Sequence, residues 1–489
     1  MSVAARVRFW ALVLAFALAQ LAVHARAGFT FPPPWIDEAQ FLWQAKAIAD
    51  AGTLLAPQLH PARPILWMPP GYFVVTGAAF RAFGFDFAFA RDLSLVYLLA
   101  AFGLLAGLLR NLPHAGAAVL LAGAFFLGRS FVAIGNVARM EALLLLGVLA
   151  GFALLRSGRC WLGLALLAAT PLVHPNGVWF CAGGALWLWL RARSEAGLPR
   201  LRRSDVALGL AVAAAWLAFA ALAAANADAF RHDLAYQLAR KAGAGELGIL
   251  ADGRLLALAA LLVVAHRLRR EVPDGVLLAC LAAPALAAHS LGQEYWYEIF
   301  EGLFYLLLSV LALEAATLWL ASRPATARHP LLACAGVLGA LLLANLVAHR
   351  VPNPLGNLDS VVWHRMRFSD GERYLDPDDR AFVRDWLIGL APPGELPWVR
   401  FHPAAEALFY ADLDGSEIRI SEPLFSERAP DWYLLRKSRW SASGSLERAA
   451  FERARVDPDG EAHLIHRRGP LERWYAIRGS ASDADAGAR

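Results

Sequence analysis

The feature that most limits how this chain can fold is its series of long apolar runs. A helix that crosses a lipid bilayer needs about 20 predominantly apolar residues. Of the 489 residues, 58% are hydrophobic and only 18% are charged. This composition excludes an ordinary soluble enzyme and predicts an α-helical polytopic membrane protein with about 11 transmembrane helices. The predicted spans are 9–28, 88–109, 114–134, 138–155, 160–174, 176–190, 205–225, 254–266, 275–291, 299–320 and 330–348.

Arginines between the apolar runs predict how the chain is oriented in the membrane. Short cytosolic connections carry an excess of Lys and Arg, and every second connection here is rich in arginine if the N-terminus is cytosolic. The net charge of +5 therefore indicates membrane orientation and not a nucleic-acid-binding surface. We expect a multi-pass protein of the inner or plasma membrane, in contact with the lipid bilayer and with no nucleic-acid partner. The cytosolic arginines are then Arg6, Arg8, Arg110, Arg156, Arg159, Arg191, Arg193, Arg200, Arg202, Arg203, Arg267, Arg269, Arg270, Arg323 and Arg328.

With this orientation, the first external loop covers 29–87 and contains two adjacent acids, Asp37 and Glu38. Apolar residues recur at helical spacing over 38–50, and a second apolar segment covers 71–84. Both segments are predicted to be helices that lie on the membrane surface. Carboxylates at the start of a helix stabilise its exposed N–H groups, which explains one acid better than two. Because neighbouring helical side chains diverge by about 100°, we expect one carboxylate to act in chemistry and the other to hold the loop.

Three further ionisable residues are predicted to face the same external side. Glu141 lies one turn into an apolar run, Arg139 precedes it, and His174 ends the following run. Ionisable residues at membrane depth are costly and are usually functional. The structural alternatives are that Glu141 pairs locally with Arg139 or Asn136, and that His174 is a packed histidine. Arg139 and His174 are also candidates to hold a phosphate group.

Two other external stretches carry candidate binding residues. Cations in the loop 226–253 are candidates to hold a phosphate, although ordinary loop solvation explains them equally well. The stretch GQEYWYEIF at 292–300 is suited to stack on a sugar ring and to bond its hydroxyls, or to form an interfacial aromatic belt. The candidates are Arg231, Arg240 and Lys241 in the loop, and Glu294, Tyr295 and Trp296 in the aromatic stretch.

The character of the chain changes after residue 350, where the proline-rich segment 351–357 predicts a linker. We therefore divide the chain into a transmembrane domain, 1–350, and a small soluble α/β domain, 351–489, on the external side. The four cysteines all lie in the first domain without the spacing of metal ligands, so no zinc site or disulfide framework is predicted. In the second domain, helices are predicted at 376–390 and 403–410, and strands at 397–401, 417–420, 432–435 and 473–477.

The order of these features resembles the polytopic glycosyltransferases of the GT-C fold. The resemblance is to the superfamily of dolichyl-phosphate-mannose protein mannosyltransferases and aminoarabinose lipid A transferases. The matching pieces are the Asp-Glu pair with its Ala-rich helix, MPPGYF at 68–73, Arg91 before the second span, and RMEALL at 139–144. The resemblance implies that Asp37 corresponds to the catalytic acidic residue of the family, and that Glu141 corresponds to the family's second acidic position.

The chain departs from the family pattern at three places. Members often have a basic residue before the Pro-Pro pair, where this chain has Met68 behind Trp67. The second acidic position is commonly Asp and is Glu141 here. Where relatives often carry Lys after the fifth span, this chain has His174 and Pro175. Contacts to a phosphate or a sugar are therefore expected to differ from those of the relatives.

The resemblance implies transfer of a sugar from a polyprenyl-phosphate-linked donor to an envelope lipid, glycan or protein acceptor. Nucleotide sugars are cytosolic, so an outward-facing transferase needs a donor linked to a lipid. Transfer needs a carboxylate to take the proton of the acceptor hydroxyl and cations to hold the departing phosphate. In-line attack inverts the anomeric centre. The sequence leaves open whether a divalent cation bridges the acids and the phosphate, and it predicts no other cofactor.

Two other classes of protein compete with this interpretation. A transporter or lipid flippase is the first, but such proteins often show internal repeats with polar groups near the membrane centre. No such repeat is evident, and the acids cluster towards one face. The second is a non-catalytic binding or assembly protein that acts through residues 351–489.

The alternating arginines generate a topology prediction. A reporter fused after Arg203 should give a cytosolic signal, because this connection is one of the most basic in the chain. Reporters fused near Ala242 or after Asp370 should give external signals. An external signal at Arg203 would overturn the orientation and with it the external placement of every candidate residue.

Overall fold

A computed structural model describes a large part of the chain. The described residues are 2–27, 36–57, 59–60, 62–194, 199–242, 254–269, 272–290, 297–321, 398–401, 419–420, 431–436, 462–468 and 472–478. The chain divides into two compact units. The first takes in Met1–Phe31, Arg91–Leu222 and Ala239–Phe368, and the second takes in Pro32–Ala90, Ala223–Leu238 and Ser369–Arg489.

The first unit is a helical assembly with an apolar core. Phe102, Phe131 and Phe152 are among its largest fully buried side chains, as expected where helices pack against one another in an apolar medium. Its helices are α1 (Val3–Ala27), α4 (Phe87–Leu109, which begins in the second unit), α5 (Ala115–Phe126), α6 (Arg129–Gly135), α7 (Met140–Arg156), α8 (Cys160–Val173), α9 (Gly177–Ser194), α10 (Arg203–Ala225), α12 (Arg254–Leu268), α13 (Pro273–Ser290) and α14 (Glu298–Ala321).

These helices coincide with the apolar runs of the sequence. Among the described residues, α1, α4, α10 and α14 are long and apolar enough to cross a membrane by length and composition. Shorter apolar helices accompany them, among them α5, α8 and α13. This is the helix content of a multi-pass membrane protein. The predicted span 330–348 lies outside the described residues.

One predicted span is divided. The run 114–134 was predicted to be a single span, but it forms α5 and α6, separated at Leu127 and Gly128. Gly128 has extended backbone angles, φ −69° and ψ 158°, and is the N-cap of α6. The apolar character of the run concealed this break, because glycine is compatible with both an apolar run and a helix end.

The second unit contains both helices and strands. Its helices are α2 (Ile36–Ala51), α3 (Gly71–Phe83) and most of α11 (Ala227–Ala242). Its sheet has the strand order β2-β1-β3-β5-β4; β1 is parallel to β2 and β3, and β5 is antiparallel to β3 and β4. The strands are β1 (Trp398–Phe401), β2 (Arg419–Ile420), β3 (Trp432–Arg436), β4 (Ala462–Arg468) and β5 (Glu472–Arg478).

Two findings in this unit differ from the sequence prediction. The segment 226–253 was predicted to be a loop, but residues 227–242 form α11, with the Phe230 N–H donating to the Asn226 carbonyl at 2.9 Å. The segment is less apolar than the spans, so it lacks the long apolar run that indicated helices elsewhere. Strand β4 was not predicted, whereas β1, β2, β3 and β5 lie at the predicted places. The helices predicted at 376–390 and 403–410 lie outside the described residues.

Glycines set the separation of α7 and α8. The two helices are joined by a tight turn in which Gly158 has φ +80°, a conformation that other residues rarely adopt. A Cβ on Gly163 would lie 2.7 Å from the Gly151 carbonyl oxygen and 2.9 Å from the Leu155 nitrogen. The backbones are therefore in direct contact, which is how small residues pack membrane helices. This contact fixes α7, which begins beside Glu141, against α8, which ends at His174.

The close approach predicts the effect of a single methyl group. Gly163→Ala should lower stability by about 1–3 kcal/mol, because the new Cβ forces two backbones apart. Gly103→Ala in α4 is a matched control, since nothing lies within 4 Å of its Cβ position. It should be neutral or should stabilise by up to about 1 kcal/mol. Thermal unfolding of both variants in detergent tests the difference, and equal effects would contradict the packing role of Gly163.

Candidate functional site

The candidate site in the first unit is built on a buried ion pair at the start of α7. Arg139 is the N-cap, with extended backbone angles of φ −132° and ψ 165°, and Glu141 lies in the first helical turn. The guanidinium donates from Nη2 to Glu141 Oε1 at 3.0 Å and from Nε to both carboxylate oxygens at 3.3 Å. Both side chains are buried, at 2% and 0% exposure. Of the two local partners predicted for Glu141, Arg139 and Asn136, the structure shows Arg139.

A polar network lies directly before this pair. Asn136 ends α6 and is fully buried. Its amide oxygen lies 2.7 Å from His24 Nδ1, and His24 Nε2 lies 2.9 Å from Asp92 Oδ1. These contacts connect α1, α4 and the α6–α7 turn. The sequence did not indicate His24 or Asp92, because the three residues are far apart in the chain and share no motif.

His174 has a structural role in the turn after α8. It is 1% exposed, and its Nδ1 accepts a hydrogen bond from the Asn176 N–H at 3.1 Å. Because Nδ1 is the acceptor, a neutral ring carries its proton on Nε2. The ring meets Tyr297 edge to face, with centroids 5.4 Å apart. His174 is therefore packed inside the protein, and its contact with a phosphate stays a prediction.

The acids Asp37 and Glu38 lie in the first turn of α2 in the second unit. The side chain of Glu38 is fully buried, whereas that of Asp37 lies outside the described atoms. Acids in the first turn of a helix are stabilised by its exposed N–H groups. The structure thus confirms a helix at the predicted place, and the division of roles between the two acids stays a prediction.

The segment that precedes α3 packs on α2 through aromatic rings. Phe41 of α2 stacks on Trp67, with centroids 5.4 Å apart, and contacts Tyr72 and Phe73 of α3. The Gln44 side-chain amide donates to the Ile65 carbonyl at 2.7 Å. The two motifs of the first loop, the acid pair and MPPGYF, therefore fold together. This packing positions the acids on an ordered helix.

A buried aspartate ties the same loop to α11. Asp233 is 0% exposed and accepts hydrogen bonds from Arg63 Nη1 at 2.9 Å and from the Leu66 N–H at 2.6 Å. His232 Nδ1 lies 3.2 Å from Arg63 Nη2. The sequence analysis missed Arg63 and Asp233, which are 170 residues apart. An acid on the apolar face of α11 would have indicated that Asp233 is buried. The segment was not predicted to be a helix, so this signal was not available.

The remaining candidate residues are either exposed, buried elsewhere, or outside the part of the chain that the structure describes. Arg231 is exposed and pairs with Asp228 at 2.6 Å, which fits ordinary solvation. The side chains of Arg240 and Lys241 lie outside the described atoms, and Glu294, Tyr295 and Trp296 lie outside the described residues. Arg91 is fully buried in α4. Within the described part of the chain, no three His, Cys, Asp or Glu side chains group as metal ligands.

Comparison with known proteins defines the class of fold. The architecture is similar to that of ArnT and has the GT-C fold, as the sequence motifs predicted. The particular structures that show this are those of ArnT from Cupriavidus metallidurans. With ArnT bound to undecaprenyl phosphate, the chain has a TM-score of 0.54 and 14% identity over 99% of both chains. With the apo state, the TM-score is 0.52 at 14% identity, over 96% of this chain and 98% of that one.

Sequence comparison adds nothing to this likeness of fold. No family model matches the chain, and no curated protein matches it. At 14% identity the comparison shows the likeness of fold alone. The roles of individual side chains must therefore be argued from the contacts described above.

The histidine next to the Arg63–Asp233 pair generates a pH prediction. Burial first, and then the Arg63 guanidinium, lower the pKa of His60 below its ordinary value of 6.5, while Asp233 acts in the opposite direction. Nδ1 of His60 accepts the N–H groups of Ala62 and Arg63 at 3.0 and 3.1 Å. The folded loop therefore favours the neutral ring, and its stability should fall as the pH drops below about 6.5.

Hydrogen–deuterium exchange of peptides covering 52–66 at pH 7.5 and pH 5.5 measures this effect. After correction for intrinsic exchange rates, which themselves fall as the pH drops, we expect less protection at pH 5.5 than at pH 7.5 in the unmodified protein. His60→Asn keeps a side-chain acceptor without a titrating ring, so its exchange should depend less on pH after correction for intrinsic rates. An unchanged pH dependence in this variant would assign the effect to another group, such as His232.

Proposed function

We propose that the protein is an inverting membrane glycosyltransferase that uses a polyprenyl-phosphate-linked sugar as its donor. The acceptor is an envelope lipid, glycan or protein on the extracytoplasmic face. The observation that carries the proposal is the likeness of fold, over 99% of both chains, to an ArnT structure bound to undecaprenyl phosphate, which is itself a polyprenyl phosphate. The family motifs of the first loop and of the start of α7 support it.

The chemistry requires few groups. The acceptor oxygen attacks the anomeric carbon as the bond from that carbon to the phosphate oxygen breaks, and the electron pair leaves with the phosphate. The phosphate departs without a proton, so no general acid is needed. A carboxylate must take the proton of the acceptor hydroxyl, and cations must stabilise the charge that develops on the leaving phosphate. Attack opposite the leaving group inverts the anomeric centre.

The base is assigned to Asp37. Both oxygens of Glu141 accept hydrogen bonds from Arg139, so this carboxylate already has a cationic partner within the protein. Glu38 is buried in α2, which suits a role in holding the loop. Asp37 is the remaining acid at the family's catalytic position. Asp37 is therefore the group best suited to accept the proton.

Glu141 is assigned a positioning role. A guanidinium held by a buried carboxylate has a fixed orientation, and a planar guanidinium suits a phosphate better than an ammonium does. We therefore propose that Glu141 orients Arg139 towards the donor phosphate. His174, Arg231, Arg240 and Lys241 are further candidates for phosphate contacts, of which Arg231 is the weakest because it is exposed and paired with Asp228. The sugar contacts proposed for Glu294, Tyr295 and Trp296 rest on the sequence alone.

A transporter or lipid flippase is the alternative, since it too would bind a lipid-linked substrate. The two functions differ in one product: a transferase breaks the bond between sugar and phosphate, and a flippase does not. The purified protein should transfer label from a polyprenyl-phosphate sugar to an envelope fraction without any nucleotide sugar. Movement of the lipid without release of polyprenyl phosphate would favour the flippase. Efficient transfer from a nucleotide sugar alone would overturn the lipid-linked donor.

The assignment of the base is tested by substitution. Asp37→Asn keeps the size and much of the capping ability of the side chain but cannot accept a proton at neutral pH. The transfer rate should fall by about 10² to 10⁴, the usual effect of losing a general base, while the thermal stability is kept. Asp50→Asn, at the other end of α2 on an exposed side chain that pairs with Lys46, is the matched control and should stay near the original rate.

Substitutions of the other acids separate their roles. Glu38→Gln should lower the rate less than Asp37→Asn. Glu141→Gln should reduce donor binding, and it should also lower stability by several kcal/mol, because it leaves Arg139 as a buried charge without its carboxylate. Transfer rate and unfolding temperature are measured for each variant. A nearly normal rate in Asp37→Asn together with an inactive Glu141→Gln would identify Glu141 as the base and refute the assignment.

A further inference from the structure

A cavity of about 700 Å³ lies in the first unit, where the start of α1 meets the connection between α4 and α5. Arg6, Phe9 and Trp10 line it from α1, and residues 110–113 line it from the connection. Among the candidate site residues whose side chains the structure describes, none lines this cavity. Its lining combines two cations with aromatic and apolar side chains, so it is suited to a ligand that carries both a charge and an apolar part.

The position of the cavity along the helices places it at the level of lipid headgroups. Both α1 and α4 are long and apolar enough to cross a membrane. Arg6 lies in the first turns of α1, and Arg110 directly follows the last residue of α4. Trp10 is 40% exposed, and tryptophan is enriched where the headgroups meet the hydrocarbon. The cavity therefore lies at the boundary between water and the bilayer.

The two arginines of the cavity carry charges that the described protein does not neutralise. Within the described part of the chain, neither Arg6 nor Arg110 forms an ion pair, and no carboxylate lines the cavity. Arg156, in contrast, pairs with Asp274 at 2.8 Å. Two guanidinium groups that share one cavity attract an anion, and their donors match the oxygens of a phosphate.

The connection that carries Arg110 is anchored on both sides. Before it, the Arg156 guanidinium donates to the Gly107 carbonyl near the end of α4. After it, the His114 N–H donates to Glu314 Oε1 at 2.9 Å, and His114 Nδ1 lies 2.8 Å from Glu314 Oε2. Glu314 is fully buried in α14. Arg110 therefore projects from an ordered backbone, which reduces the entropy lost when a ligand binds.

We propose that this cavity binds an anionic phospholipid of the adjoining bilayer leaflet. The phosphate is held by Arg6 and Arg110, and the Asn111 amide bonds the headgroup oxygens. Phe9 and Trp10 contact the glycerol backbone and the first methylene groups. A lipid fits better than a free phosphate, because α1, which carries Arg6, Phe9 and Trp10, also exposes the apolar side chains Val7 (63%) and Leu14 (59%). The site goes beyond the proposed glycosyl transfer and does not depend on it.

Native mass spectrometry of the purified full-length chain tests the site. Phosphatidylglycerol and phosphatidylcholine with the same acyl chains are titrated separately, and the occupancy of the first bound lipid is measured. We expect phosphatidylglycerol to bind more tightly. In the double variant Arg6→Gln, Arg110→Gln, its affinity should fall roughly tenfold or more, as expected for losing two charges near a headgroup. Arg8→Gln, Arg203→Gln removes two exposed arginines that lie outside the cavity and should change the affinity less than about twofold.

Each other outcome overturns the proposal. Equal losses in the two double variants would show a diffuse attraction of lipid to surface charge, and no loss in either would show that the cavity is not the site. Glycerol 1-phosphate at the same concentration should not displace the lipid; equal competition would assign the cavity to a water-soluble phosphate. Thermal unfolding of each variant shows whether it is folded. If the double variant is unfolded, the single variant Arg110→Gln replaces it, and its affinity for phosphatidylglycerol should fall by about half as much on a logarithmic scale.

Discussion

The hydrocarbon interior of a bilayer offers no hydrogen-bond partner, and most features of this protein follow from that constraint. Backbone groups in such a medium must bond within the segment, so spanning segments are helices. Buried charges must likewise find partners, because an isolated charge in an apolar medium is far less stable than one in water. In the first unit, Arg139 pairs with Glu141, His114 with Glu314, and Arg156 with Asp274. Several of these partners lie at helix ends, where the apolar sequence begins or stops.

The same constraint explains why helix starts carry the residues of the candidate site. At the start of α7, the extended Arg139 precedes the first turn, and this lets its guanidinium reach Glu141 two residues later. At the start of α2, Glu38 is buried while aromatic rings from the following motif pack on Phe41. In each case the helix supplies a rigid frame and its exposed N–H groups favour a carboxylate. The acids of the candidate site therefore lie where the fold already stabilises them.

The arginines that pair with buried carboxylates lie in different surroundings from Arg6 and Arg110. Arg139 and Arg63 lie in buried or half-buried surroundings and bond carboxylates of the chain. Arg6 and Arg110 lie where two spans end, and within the described part of the chain neither forms an ion pair. An arginine near the headgroups gains little from a protein carboxylate in water, but it gains from the phosphates that the membrane itself supplies. Under the proposal, the first kind of arginine serves the internal structure and the second serves the contact with the bilayer.

The sequence determined the features that depend on local composition. Apolar runs of bilayer length predicted α1, α4, α10 and α14, because hydrophobicity over about 20 residues is sufficient to indicate a span. Likewise, the Asp-Glu pair and RMEALL indicated the GT-C fold, which the comparison with ArnT confirmed. Short strands such as β3 were also indicated, because β-rich segments stand out in a polar stretch of sequence. The roles of Asp37 and of the residues beyond the described part stay predictions.

Only the tertiary structure decided which distant residues meet. Asp233 and Arg63, and likewise His24 and Asp92, are far apart in the sequence, and no spacing rule connects them. The break at Gly128 and the helix α11 were decided in the same way, since glycine is tolerated in several conformations and α11 has no long apolar run. The local sequence pattern indicates whether a segment is exposed to water or to lipid. Which distant residues form contacts depends on how the segments pack. That packing is a property of the whole chain, because each contact requires the backbone of several elements to be in place at once.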